Sequence, residues 1–273
     1  MEKAILYDAN TCIACRACQL ACKQWNDTPP ARQEDWGDYP APGDISVSTW
    51  LKVFVNETQS YGRDTFTFTR RACMHCSDAA CVTVCPTGAL SYHPDGLVAY
   101  DKGLCSGCGY CADFCPFGVP HSNRNIITGI AKMDKCTLCT SPGRDRLAEG
   151  YEPACVKACP TDALVFGQRD DMVSLGTQRV NALKSRGYDN AYLYGENELG
   201  GLHVLYVLED TPDKYGLPPT PEYPVMATMW QDILQPLGLA AGGLMLAGLG
   251  LNYVVSRRSK KSYCRVDADK EAR

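Results

Sequence analysis

Sixteen of the seventeen cysteines fall into four runs, and this pattern limits the fold of the 273-residue chain more than any other feature. The runs are Cys12, Cys15, Cys18, Cys22; Cys73, Cys76, Cys81, Cys85; Cys105, Cys108, Cys111, Cys115; and Cys136, Cys139, Cys155, Cys159. The last three are each followed by proline: Pro86, Pro116 and Pro160. The first and third runs read C-x2-C-x2-C-x3-C, a spacing with which thiolates hold [4Fe–4S] clusters. Four such runs predict a loop-rich body built round inorganic cores, and a row of cores conducts electrons. The 24 glycines and 17 prolines suit such a body.

Other uses of cysteine fit less well. Disulfide frameworks belong mostly to short secreted chains. Residues 1–10 have neither a basic start nor an apolar stretch, so no secretory leader is expected. Structural zinc favours paired C-x2-C units with histidine partners, and none of the four histidines has that spacing. A net charge of −4 gives no reason to expect a nucleic-acid partner.

In C-x2-C-x2-C one short loop wraps three corners of a cubane, and the fourth cysteine reaches the neighbouring cluster. The second and third runs are adjacent, so they should pair. This predicts one site of Cys73, Cys76, Cys81 and Cys115 and another of Cys85, Cys105, Cys108 and Cys111. The outer runs then pair across the chain, giving Cys12, Cys15, Cys18 with Cys159, and Cys22 with Cys136, Cys139 and Cys155. Four [4Fe–4S] clusters are expected. No P-loop, G-x-G-x-x-G or Ser/His/Asp arrangement stands out, so no catalytic centre is expected in this chain.

Between the first two runs, residues 28–44 read as loop. Residues 46–56 read as a strand with residues 65–69 returning beside it. Residues 89–100 read as a hairpin turning at Pro94-Asp95-Gly96. Residues 163–166 read as a short strand. Asp170 or Asp171 should cap a helix that runs to Arg186 and ends at Gly187, with Met172, Leu175, Val180 and Leu183 on its stripe. Residues 202–208 read as a strand, and residues 211–224, with five prolines, as a linker.

Residues 236–255 carry no charge. At about 1.5 Å per residue they span roughly 30 Å, the thickness of a bilayer core. Trp230 and Tyr253 are placed as interfacial anchors. Arg257, Arg258, Lys260 and Lys261 follow directly, whereas residues 209–235 hold one lysine and no arginine. The positive-inside rule therefore expects a single-pass chain with a cytoplasmic C-terminus and the cluster body on the outer, periplasmic-type face. Such a body would cross the membrane already folded, carried by a partner that bears the export signal. The internal Arg70-Arg71 pair is given no targeting role.

Among remaining residues, Ile13, Ala14, Ala17, Val82, Val84, Phe114, Phe117 and Val156 read as packing around the sites. His75 reads as a surface or structural histidine rather than a cluster contact. Lys157 reads either as a solvated lysine or as a tuning charge, and His203 as packed. Cys264, in the basic tail, reads as a free thiol, with juxtamembrane acylation as the sharper alternative.

Several stretches carry a family resemblance: CIACRACQLACKQWND from Cys12, CMHCSDAACVTVCPTGAL from Cys73, CSGCGYCADFCPFGVP from Cys105, and EPACVKACPTDALVFG from Glu152. More specific are LKSRGYDNAYLYG from Leu183, GGLHVLYVL from Gly200, YGLPPTP from Tyr215 and the terminal span. Together they resemble the β, or iron–sulfur, subunit of membrane-bound respiratory formate dehydrogenases. The resemblance implies anaerobic respiration, a molybdopterin (Mo or W) α subunit that oxidises formate and carries a twin-arginine signal, and a membrane cytochrome b γ subunit that reduces quinone. It implies the same cluster pairing.

The expected class is α+β: two ferredoxin-like double-cluster units with short hairpins and helices, plus one C-terminal transmembrane helix in the lipid bilayer. One unit combines residues 1–27 and 132–169, and the other is residues 73–131. Residues 28–72 form an insert, 170–229 a helix–strand region with the linker, 230–256 the span and 257–273 a basic cytoplasmic tail. The expected function is electron transfer from the α subunit to the cytochrome. Two alternatives stay open: a β subunit of another molybdopterin oxidoreductase (nitrate, polysulfide or thiosulfate type), and a metal-binding scaffold without redox work.

Overall fold

The computed structural model describes residues 2–29, 44–122, 131–229 and 233–271, with side chains for all of these but residue 228 and residues 258–271. The chain divides into two compact units, Met1–Pro224 and Val225–Arg273.

The first unit starts with strand β1 (Lys3–Asp8), which sequence reading left unassigned. Its residues are almost all buried, so it lacks the alternation that marks a half-exposed strand. Helix α1 (Ala17–Trp25) follows the first cysteine loop. Strands β2 (Lys52–Ser60) and β3 (Arg63–Arg71) form a long antiparallel hairpin in register from Lys52↔Arg71 to Ser60↔Arg63. The strand expected at 46–56 thus begins later, because residues 46–49 close a tight turn through paired Ser46 and Thr49. Helix α2 (Ala80–Thr83), the hairpin β4 (Leu90–Tyr92) and β5 (Val98–Tyr100), and helix α3 (Tyr110–Asp113) come next. The β4–β5 hairpin turns at the expected Pro94-Asp95-Gly96, with Gly96 at φ +82°.

Two-residue pairings follow: β6 (His121–Ser122) with β7 (Met133–Asp134), and β8 (Thr140–Ser141) with β9 (Arg144–Asp145). Helix α4 (Ala154–Lys157) precedes β10 (Leu164–Gln168) and helix α5 (Arg169–Lys184). Strands β11 (Tyr192–Tyr194) and β12 (Val204–Leu208) complete the sheet. Its order is β10-β1-β12-β11, with β1 antiparallel to β10 and parallel to β12.

This sheet sorts side chains by face. Ala4, Leu6, Leu205 and Val207 pack under α5 with Met172, Val180 and Leu183. Ile5, Tyr7, Val204, Tyr206 and Leu208 point the other way, into the core that contains the cysteines. The sheet is therefore the floor on which the cysteine loops rest.

Three expectations need correction. Helix α5 is not capped by Asp170 or Asp171; Gln168 is its N-cap without a side-chain bond, and both aspartates lie in the first turn. There they complement the N-terminal end of the helix dipole. Leu202 lies outside β12 and instead bridges to Cys76. Residues 211–224 are not a simple linker. Pro212 opens a 3-10 turn, Pro212–Tyr215, whose Tyr215 is buried along with Leu217. Thr67 and Thr69 of β3 donate hydroxyl hydrogen bonds to the Lys214 and Tyr215 carbonyls, so the prolines stiffen a strap docked on the hairpin.

The second unit holds α6 (Val225–Met229) and α7 (Gln235–Glu271). Residues Gln235–Arg257 are long and apolar enough to cross a membrane, with none of that stretch buried. Tyr253 is exposed on it. Trp230, most of the 28–44 loop, and the side chains of Arg258, Lys260, Lys261 and Cys264 lie outside the described residues.

Candidate metal centre

The same backbone device recurs in all four cysteine loops. The third residue of each leading C-x-x-C takes a left-handed conformation: Ala14, His75, Gly107 and Leu138, with φ of 53°, 50°, 75° and 53°. In this conformation its amide turns back onto the sulfur of the leading cysteine. The Ala14 and Leu138 N–H groups donate to Cys12 and Cys136 Sγ, each at 3.4 Å. The His75 and Gly107 amides act on Cys73 and Cys105 in the same sense, favouring the thiolate. Backbone amides gathered this way make an anion-binding nest. Only Gly107 is a glycine; a Cβ there would stand 2.4 Å from the Ala131 carbonyl oxygen.

Helices then fix the remaining thiols. Cys18 and Cys22 sit one turn apart on α1, which packs beside α4 with its Cys155. α2 carries Cys81, α3 carries Cys111, and these two helices are also neighbours.

The cysteines gather accordingly. Cys12, Cys15, Cys18 and Cys159 line one cavity, walled by Tyr7 and Leu164. Cys85, Cys105, Cys108 and Cys111 line a second, beside Tyr100 and Met133. Cys76 feels the charges of Cys73, Cys81 and Cys115, and Cys22 those of Cys136, Cys139 and Cys155. Contacts between quartets set an order. Cys18 feels Cys155, Cys73 feels Cys136, and Cys81 feels Cys111. The quartets containing Cys12, Cys22, Cys73 and Cys85 thus lie in a row, in that sequence. Among the described cysteines only Cys15 and Cys108, at its two ends, are exposed, while every cysteine of the Cys22 quartet is buried.

Electrostatics show what these cavities want. Burial, and then neighbouring thiols, push Cys22 and Cys76 far above the ordinary thiol range. Burial likewise raises Cys18, Cys111 and Cys139 to about 12. Such thiols ionise together only beside compensating positive charge, which metal supplies. Cys105 runs the other way: burial raises it, but the Met133 and Gly107 amides help to bring it below the usual value.

The sixteen cysteines are all free of disulfides. Among the described residues no three His, Cys, Asp or Glu close round a point that one ion would fill. Thiolates about a single zinc stand roughly 3.8 Å apart, as a Zn–S bond of about 2.3 Å seen across a tetrahedron requires. Quartets of sulfur donors drawn from such C-x2-C runs are the ligand sets of a core of four irons and four sulfides.

Two buried cations accompany the row, and sequence reading assigned neither to the sites. Lys135 is fully buried and donates to the Val98 carbonyl at 2.7 Å and the Cys136 carbonyl at 3.0 Å. Its charge acts on Cys73, Cys81 and Cys115. Arg70 is also fully buried, with Nη2 3.9 Å from Cys155 Sγ. No periodicity marks either residue, because each is placed by tertiary packing.

His75, read as a surface or structural histidine, is the structural kind. It is fully buried, its Nδ1 accepts from the Val98 amide at 3.1 Å, and burial holds its pKa well down. Its Nε2 has no partner. Lys157 is exposed. His203 is packed as expected, with Nδ1 2.7 Å from the Lys3 carbonyl oxygen and Nε2 3.3 Å from Ser77 Oγ. Ile13, by contrast, is 60% exposed and is not packing.

A family described as "4Fe-4S dicluster domain" matches residues 11–89, and a second of the same description matches residues 65–169. These matches follow the chain linearly, whereas the folded cysteines pair the first run with the fourth. A formate dehydrogenase, nitrate-inducible, iron-sulfur subunit from Escherichia coli (strain K12) is 39% identical, covering 99% of this chain and 89% of the relative. A formate dehydrogenase iron-sulfur subunit from Haemophilus influenzae is 41% identical, covering 90% of this chain and 78% of the relative. The hydrogenase-2 operon protein HybA from Escherichia coli O157:H7 is 29% identical, covering 95% and 85%.

Proposed function

The chain belongs to the family of formate dehydrogenase iron–sulfur subunits, an electron-transfer subunit with [4Fe–4S] clusters, and from that premise we propose how its own residues carry the role. Four clusters are held by the quartets Cys12/15/18/159, Cys22/136/139/155, Cys73/76/81/115 and Cys85/105/108/111. The observation that carries this reading is the single row of thiol quartets, buried in the middle and exposed at both ends.

When bound, such clusters supply one-electron transfer at potentials set by hydrogen bonds, charge and solvent access. The chain's residues set those terms. The left-handed amides donate to cysteine sulfur, the sheet face bearing Ile5, Tyr7 and Tyr206 keeps water from the inner sites, and the exposed ends offer short approach to partners. Residues 1–27 with 132–169 form one double-cluster unit and residues 73–131 the other.

The partners in this reading are a molybdopterin α subunit that oxidises formate and a membrane cytochrome b γ subunit that reduces quinone. This chain adds no catalytic centre to them. The Gln235–Arg257 helix is the membrane anchor, and the basic residues after it favour a cytoplasmic C-terminus with the cluster body outside. The test uses the purified complex with and without this chain. Formate-dependent quinone reduction should require the chain, while formate-dependent reduction of an artificial dye should survive its loss. Failure of formate, with hydrogen effective instead, would favour a role like that suggested by the hydrogenase-operon relative.

A further inference from the structure

Arg70, the next-to-last residue of β3, pairs with Val53 and sits in a position that packing alone does not explain. Its side chain has no exposure to solvent, and its Nε and Nη1 have no hydrogen-bond partner. Among the described residues no carboxylate pairs with it. Burying a guanidinium with two unmet donors is costly unless something anionic meets it. Its surroundings are thiols of two quartets: Cys155 Sγ at 3.9 Å, with Cys136 and Cys18 close enough to act on its charge. The Tyr206 hydroxyl donates to the Arg70 carbonyl and anchors the backbone beneath it.

We propose that Arg70 is a positioning and charge-compensating residue at the joint between the Cys12/15/18/159 and Cys22/136/139/155 clusters, its free N–H donors and fixed positive charge favouring their reduced states. This rests on the reading that those quartets hold clusters. Each electron added to a thiolate-ligated core makes it one unit more negative. A guanidinium stays protonated throughout, so no proton moves, and its attraction is greater for the reduced form. Arg70 therefore raises both potentials and eases electron passage across that joint.

The test is an EPR-monitored redox titration of the whole chain, purified anaerobically, after iron and sulfide analysis of the wild type. Too little iron in the wild type would remove the cluster reading itself, independently of Arg70. With iron in place, Arg70→Met should shift the midpoints of the Cys12/15/18/159 and Cys22/136/139/155 clusters to more negative values and leave the Cys85/105/108/111 cluster unmoved. Arg70→Lys should recover most of the shift. A fully loaded Arg70→Met protein with unchanged midpoints overturns the proposal.

Should Arg70→Met fail to fold, the wild type labelled with guanidino-15N arginine decides. Pulsed EPR of its reduced clusters should show a 15N coupling that is absent from labelled Arg70→Lys. No such coupling in the wild type also overturns it.

Discussion

Leu205→Ala tests whether the sheet is the floor of the cluster sites. Leu205 is fully buried in β12, paired in register with Leu6 and packed with Met172, Val180 and Leu183 under α5. The strand it pairs with, β1, leads into the first cysteine loop, where the Asp8 carbonyl accepts the Cys12 amide at 3.2 Å. β10, paired on the other side of β1, begins five residues after Cys159. Opening the sheet therefore separates Cys12 from Cys159. Emptying a fully buried leucine site costs about 2–5 kcal/mol. At about 1.36 kcal/mol per factor of ten, the population of opened molecules rises about 30- to 5,000-fold. The assay follows bleaching of cluster absorbance under an anaerobic iron chelator, in the regime where release tracks that population. Phe66→Ala is the control: Phe66 is 61% exposed on β3, and surface changes stay within about 0.5 kcal/mol, or roughly twofold. Acceleration of less than tenfold in Leu205→Ala would refute the reasoning.

Other outcomes follow from the same geometry. Cys85→Ser should remove the cluster shared with Cys105, Cys108 and Cys111 and leave the one on Cys73, Cys76 and Cys81. Iron analysis should fall by about a quarter, and EPR should identify which signal is lost. Gly107→Ala should destabilise the same site: its φ of +75° costs a side chain about 1–2 kcal/mol, and the Cβ would press on the Ala131 carbonyl. Chelator release from that cluster should quicken at least about fivefold. Ending the chain at Pro224, the boundary between the two compact units, should move the protein out of the membrane fraction with its iron content unchanged.

Much of the site was legible in the sequence because iron–sulfur ligation constrains residue type and spacing together. The hairpins were legible where turn residues such as Pro94-Asp95-Gly96 stand between alternating strands, and the terminal helix where twenty residues carry no charge. Strand β1 was not, because a strand buried on both faces shows no period of two. The strap at Pro212–Tyr215 was masked by its own prolines, which signal an open linker as readily as a stiff docked turn. The left-handed residues Ala14, His75 and Leu138 carry no glycine signal. Nothing in the sequence separates Arg70 from Arg71, a pair read only as having no targeting role, yet Arg71 reaches Asp44 at 3.3 Å while Arg70 is sealed inside. The order of the four quartets depends on α1 meeting α4, a contact between residues more than a hundred positions apart.

The central claim is a row of four cubanes in one chain, and the most direct measurement is iron content with quantitative EPR on anaerobically purified, dithionite-reduced protein. The account predicts about sixteen irons per chain and four reducible [4Fe–4S] centres that interact magnetically as neighbours. Protein that carries zinc in place of iron, or shows no paramagnetic signal after reduction, would contradict it.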